Sequence, residues 1–162
     1  MTVGADMDRT WISQSVEETE AIAGEIAGML RGGECIALHG DLGAGKTQFV
    51  RGVVRGLGGD GRAVSSPTYM LLHMYARRTD AKRQGNGPRL PVFHLDAYRV
   101  SGSEELEAIG FTELLGQGGV VLVEWPSRVP ELLPPDTWQL ELIPEGPTTR
   151  RIHLRTPEPR RP

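Results

Sequence analysis

Cys35-Ile36-Ala37-Leu38-His39 runs directly into Gly40-Asp41-Leu42-Gly43-Ala44-Gly45-Lys46-Thr47, a short apolar segment ending in a glycine-rich turn and a lysine. The segment after the turn carries Phe49, Val50, Val53, Val54 and Leu57 at helical spacing. This order predicts a buried strand, a loop and an amphipathic helix. Residues 40–47 match G-x-x-x-x-G-K-[ST] in full, the pattern of a phosphate-binding P-loop. Glycines let the backbone curl so that N–H groups converge on phosphate oxygens, and a helix starting near Lys46 aims the positive end of its dipole at the same anion. The expected ligand is ATP with Mg²⁺. It would be held by Gly40, Asp41, Leu42, Gly43, Ala44, Gly45, Lys46 and Thr47, with Lys46 on the β and γ phosphates and the Thr47 hydroxyl on the metal. Asp41 adds negative charge next to phosphates, so it is expected to point away and bond the loop backbone.

The use of basic residues supports a special role for Lys46. Of the 18 basic residues only Lys46 and Lys82 are lysine. Arginine serves nearly everywhere else, which suggests that position 46 needs a compact ammonium rather than a guanidinium fork.

Working outward, Trp11 to Ser13 reads as a first strand. Ser15 to Glu18 forms a capping box for a helix with Ile22, Ile26, Met29 and Leu30 on one face, stopped by Gly32-Gly33. Val92 to Leu95 and Val120 to Val123 are apolar runs of the kind found in a sheet covered on both faces. Ser103 is expected to cap a short acidic helix through Ile109, and Trp138 to Ile143 and Ile152 to Arg155 read as late strands. Ala76 to Pro91 is polar and reads as a long hairpin connection. The fold expected is α/β: three layers, with a mostly parallel central sheet flanked by helices. Residues 1–156 would form one domain and 157–162 a frayed tail.

The composition excludes several classes. In 162 residues, 38% are apolar and 24% charged, as in a folded globular chain. No stretch is long and apolar enough for a membrane span. The start of the chain lacks the apolar run of a secretory signal, and Cys35 is the single cysteine, so a cytoplasmic location is expected. A net charge of −3 offers no general basic field for DNA. Basic residues cluster at 77–89 and 150–161, read either as solvated surface or as a contact with RNA or an acidic partner.

Two acids follow apolar runs, Asp96 after Val92 to Leu95 and Glu124 after Val120 to Val123. At the C-terminal edge of a parallel sheet both would meet the nucleotide. One could hold the water shell of Mg²⁺ and the other orient an attacking water. Ser65-Ser66-Pro67-Thr68-Tyr69 occupies the place of a switch loop, where Thr68 could sense the γ-phosphate; an ordinary turn is the alternative. Trp125 either lies near the nucleotide or is a packed aromatic. His39, His73, His94 and His153 lack metal-ligand spacing with cysteine and are read as structural. A GTPase is excluded because the only asparagine, Asn86, precedes glycine rather than the lysine of a guanine-reading Asn-Lys-x-Asp. A small-molecule P-loop kinase remains, with 76–91 as its lid.

Four segments together are more specific: Leu38 to Thr47, Ser66-Pro67-Thr68-Tyr69, His94-Leu95-Asp96-Ala97-Tyr98-Arg99 and Val123-Glu124-Trp125-Pro126. In order and spacing they resemble the TsaE (YjeE) ATPases of bacterial tRNA threonylcarbamoyladenosine biosynthesis, over roughly residues 10 to 143. The resemblance implies a compact P-loop fold and Mg²⁺-ATP on Lys46 and Thr47. It implies Asp96 and Glu124 in metal binding and hydrolysis, Thr68 in the switch-like loop and Trp125 beside the nucleotide. It also implies action with the TsaB–TsaD pair, reaching tRNA through that complex, with ATP hydrolysis resetting it between turnovers.

Overall fold

The computed structural model describes residues 7–65, 72–75, 89–98 and 100–157. The loop through Thr68, the 76–88 part of the connection, Arg99 and tail residues 158–162 lie outside these.

A seven-stranded sheet organises the chain, in the order β1-β7-β6-β2-β5-β4-β3. Its strands are β1 (Met7–Ser13), β2 (Cys35–His39), β3 (Leu72–Tyr75), β4 (Val92–Asp96), β5 (Val120–Glu124), β6 (Trp138–Pro144) and β7 (Arg150–Thr156). The apolar runs become the central strands: β2, β4 and β5 are almost wholly buried. Side chains alternate between two cores, as strand periodicity requires. Ile36, Leu38, Val120 and Leu122 pack with the helices α1 (Val16–Ala27) and α2 (Lys46–Gly56). Cys35, Phe93, Leu95, Val121 and Val123 pack on the other face with Leu106, Phe111 and Leu114 of α3 (Ser103–Ala108) and α4 (Phe111–Leu115).

The sheet is mixed rather than mostly parallel. β2–β5, β2–β6 and β4–β5 are parallel. β1–β7, β6–β7 and β3–β4 are antiparallel. For the consecutive pairs β4–β5 and β6–β7 the cause is connection length. Parallel neighbours need a crossover, which α3 and α4 provide between β4 and β5, whereas the short turn between β6 and β7 permits only an antiparallel hairpin. Apolar periodicity carries no strand direction.

Ser15 caps α1 as expected, its Oγ accepting from Glu18 N–H at 3.0 Å, while the Glu18 carboxylate accepts from Gln14 N–H at 2.7 Å. The helix ends earlier than the glycine pair, at Ala27 with Gly28 as cap. Ser103 is not a cap: α3 begins at Ser103 with Gly102 before it and no side-chain cap bond. There the Glu105 carboxylate instead accepts from the Ser101 N–H at 3.0 Å. α4 was not foreseen, being too short for helical periodicity to show.

Helices α1 and α2 approach through small residues. A Cβ on Gly52 would lie 2.6 Å from Ala23 Cβ and collide with Glu20 backbone, and one on Gly56 would lie 2.7 Å from Gly24 Cα. Gly52→Ala gains helix propensity of about 1 kcal/mol, but the obstructing atoms are on or next to backbone and cannot swing aside. Overpacking therefore wins, and a net loss of about 1–3 kcal/mol is expected in chemical denaturation. Unchanged stability would mean that the two helices can move apart freely.

Candidate functional site

The parallel strands β2, β5 and β4 end side by side, so their C-terminal residues converge. Leu38 is in register with Glu124, and Glu124 with Asp96. Backbone bonding continues past the strands, with Ala97 N–H donating to Glu124 O at 3.0 Å. Residues 40–45 leave the end of β2 and turn into α2. Gly43 has φ +80° and Gly45, the residue before the helix, φ +105°, both in the left-handed region that suits glycine. The first N–H groups of α2 have no intrahelical acceptor, as at every helix start.

Lys46 is the first residue of α2, and its side chain is 6% exposed. Its Nζ lies 3.9 Å from Glu124 Oε1 and 4.0 Å from the centroid of the Trp125 ring, yet has no hydrogen-bond partner among the described residues. Burial lowers its pKa, opposed by the carboxylates of Glu124, Asp96 and Asp41. A desolvated ammonium with unused donors is a strong attractor for an anion. Thr47, half-buried, follows it.

Asp96 accepts from the N–H of Tyr98 at 2.8 Å. Desolvation raises the pKa of its carboxyl; the Tyr98 N–H opposes this, Glu124 adds to it, and Lys46 and His94 oppose it. Glu124 is 5% exposed and lies between Lys46 on one oxygen and His94 Nε2, 2.6 Å from Oε2, on the other. Trp125 is the sole non-glycine residue with positive φ among the described residues, at φ 58° and ψ 50°. That conformation costs about 1–3 kcal/mol and tends to occur at functional sites. Here it turns the ring over the Lys46 ammonium, with the Tyr98 ring 4.9 Å away on centroids.

Asp41 differs from expectation. It is exposed, and the loop bond comes from its carbonyl, which accepts from Ala44 N–H at 3.0 Å; its carboxylate makes no loop-backbone bond among the described residues. The geometry of a tight turn satisfies the loop through main chain alone. Leu42 stands 77% exposed at the loop tip.

Two residues escaped the sequence reading. His94, read as structural, is hydrogen-bonded to Glu124, so the structure brings it beside the candidate site. A usable signal was there: period 2 along β4 puts His94 on the same face as Asp96. Arg150, read as surface charge, braces the glycine loop. Its Nε donates to Ala44 O at 3.1 Å and one terminal nitrogen to Gly43 O at 3.3 Å, while the other donates to Gly146 O and Thr149 O. No local pattern announces a bond across 106 residues. Tying these carbonyls away from the loop interior should favour an anion inside. If the loop holds a nucleotide, Arg150→Ala is expected to weaken that affinity about 10-fold, about 1.4 kcal/mol, the order of one ordinary net hydrogen bond. Titration with a fluorescent ATP analogue tests this, and wild-type affinity would assign Arg150 to the hairpin alone.

Asp96 and Glu124, with the Thr47 hydroxyl, are hard oxygen donors suited to Mg²⁺, which commonly takes one or two carboxylates plus substrate phosphates. No group of three or more His, Cys, Asp or Glu among the described residues could hold a metal unaided. Beside the loop a cavity of about 140 Å³ opens between Ser15, Val16, Thr19, Gly45, Gln48 and Arg150.

The family model for the threonylcarbamoyl adenosine biosynthesis protein TsaE matches residues 13–152. The chain belongs to the TsaE family. A TsaE protein of Bacillus subtilis is 37% identical over 142 residues, covering 88% of this chain and 82% of the relative. One from Synechocystis is 41% identical over 113 residues, covering 67% and 64%. The crystal structure of Bacillus subtilis YdiB superposes with a TM-score of 0.72 at 30% identity, covering 93% of this chain and 86% of that one. The TsaE assignment places the chain in tRNA threonylcarbamoyladenosine biosynthesis. Among the described residues no helix is long and apolar enough to cross a membrane.

Proposed function

We propose that this TsaE-family chain is a cytoplasmic P-loop ATPase that binds Mg²⁺-ATP at residues 40–47 and hydrolyses it in concert with the TsaB–TsaD pair during tRNA modification. The observation that carries this reading is the buried Lys46 ammonium, its donors unused, beside Glu124 at the mouth of the glycine loop. An ammonium in that state is primed for phosphate oxygens. The cavity between the start of α1 and Arg150 offers room for the nucleoside end of the ligand.

In this reading the glycine loop and Lys46 would hold the triphosphate, and Thr47, Asp96 and Glu124 would hold the metal. Bound Mg²⁺ would supply charge neutralisation on the phosphate oxygens. Asp96 and Glu124 orient the attacking water, and a carboxylate takes its proton as the new O–P bond forms and the bond to the leaving oxygen of ADP breaks. Asp96 is suited to accept a proton because burial raises its proton affinity. Trp125 covers Lys46 and limits water around it.

The deciding experiment measures phosphate release from ATP by the chain alone and with TsaB–TsaD. Strong stimulation supports a partner-gated ATPase. No stimulation, or phosphate recovered on a small acceptor, would favour a stand-alone kinase.

A further inference from the structure

His94 is fully buried in the middle of β4, at a position that an aliphatic side chain could fill. Its ring makes a single side-chain hydrogen bond among the described residues, from Nε2 to Glu124 Oε2 at 2.6 Å. Nδ1 has no partner among them. The other side of the ring meets the edge of His73, 6.4 Å away on centroids. A histidine kept for packing would bond main chain or solvent. This one spends its bond on a carboxylate at the site.

Glu124 needs such a partner. Its side chain has three rotatable bonds, and no other described side chain lies within hydrogen-bonding distance of the carboxylate; Lys46 Nζ is at 3.9 Å. A carboxylate only accepts, so Nε2 carries the proton in this contact. The bond is short and charge-assisted. It pins Oε2 against β4 and leaves Oε1 facing Lys46 and the loop.

We infer that His94 is a positioning residue, which orients Glu124 so that one carboxylate oxygen faces the Lys46 side of the phosphate site. The inference rests on the proposed role of Glu124 in metal binding and hydrolysis. Partners that orient a metal-site carboxylate are commonly worth about 10–100-fold in activity or metal affinity.

The test compares the full-length chain with His94→Phe, His94→Gln, Glu124→Ala and the double variant His94→Phe/Glu124→Ala. Phosphate release is followed with TsaB–TsaD present, and affinity with a fluorescent ATP analogue. His94→Phe should lower turnover about 10–100-fold, leave analogue affinity nearly unchanged and raise the Mg²⁺ concentration needed for half-maximal rate. His94→Gln, whose amide can donate from nearly the same place, should recover most of the rate. In the Glu124→Ala background, His94→Phe should cost nothing more. NMR of the ¹⁵N-labelled histidines gives an independent readout that needs no His94 variant: the Nε2-protonated ring, hydrogen-bonded in wild type, should lose that bond in Glu124→Ala.

Additive losses in the double variant, or an Nδ1-protonated ring in wild type, would overturn the positioning role while leaving Glu124 as a site residue. Full turnover in Glu124→Ala would overturn the reading of Glu124 itself, and the catalytic value of His94 with it.

Discussion

Lys46→Ala is expected to weaken ATP binding about 10²–10³-fold, the cost of removing one member of a buried, hydrogen-bonded charge pair. The side chain is 6% exposed and has no hydrogen-bond partner among the described residues, so the phosphates would be its principal anionic partner. The loop N–H groups and the α2 dipole remain in the variant, which is why the loss has a ceiling. Lys46→Arg should also fail, because a longer, planar guanidinium places its donors differently from a compact ammonium.

Stability of the nucleotide-free protein should move far less. Burial lowers the pKa of Lys46, so the unfolded chain binds this proton more tightly than the folded one. The group therefore destabilises the fold while charged, a penalty relieved as pH rises through its folded pKa. Lys46→Ala relieves that penalty but also leaves the buried Glu124 carboxylate without its cation and empties the space under Trp125, so the melting temperature of the nucleotide-free protein should change little, while the rise that ATP produces is abolished. Calorimetric melts with and without Mg²⁺-ATP separate the two effects. A wild-type ATP response in Lys46→Ala would sink the phosphate-site reading.

Glu124→Gln should have the second large effect. It keeps the volume between Lys46 and His94 and still offers an oxygen to His94 Nε2, so the fold should survive. It removes the negative charge and the ability to take a proton. Loss of a positioned general base or metal carboxylate costs about 10²–10⁴-fold in rate, and nucleotide affinity should change far less. Single-turnover hydrolysis with the partner pair present reads the first quantity and equilibrium titration the second. Equal losses in both would mean that Glu124 acts in binding rather than in the chemical step.

The placement of the candidate residues was legible because it is local. Residues 40–47 form one continuous motif, and Asp96 and Glu124 each close a short, largely apolar run of strand length. Both acids were found side by side at the convergent strand ends. Contacts across long separations were not legible. His94 meets Glu124 across 30 residues and Arg150 meets the loop across 106, with nothing in either segment naming its partner. The close approach at Gly52 was hidden too, since a glycine in a helix reads as a weak helix former until the facing backbone is known.

Chain chemistry alone established the strand–loop–helix unit, the buried character of β2, β4 and β5, and the identity of Lys46, Asp96 and Glu124 as site candidates, because backbone propensity and side-chain period act within a few residues. Three-dimensional packing established the mixed direction of the sheet, the pinning of Glu124 by His94, the bracing of the loop by Arg150 and the turning of Trp125 over Lys46. Those features depend on which strand lies beside which. Short connections and the burial of two opposite sheet faces settle that order, and no local stretch of residues encodes it.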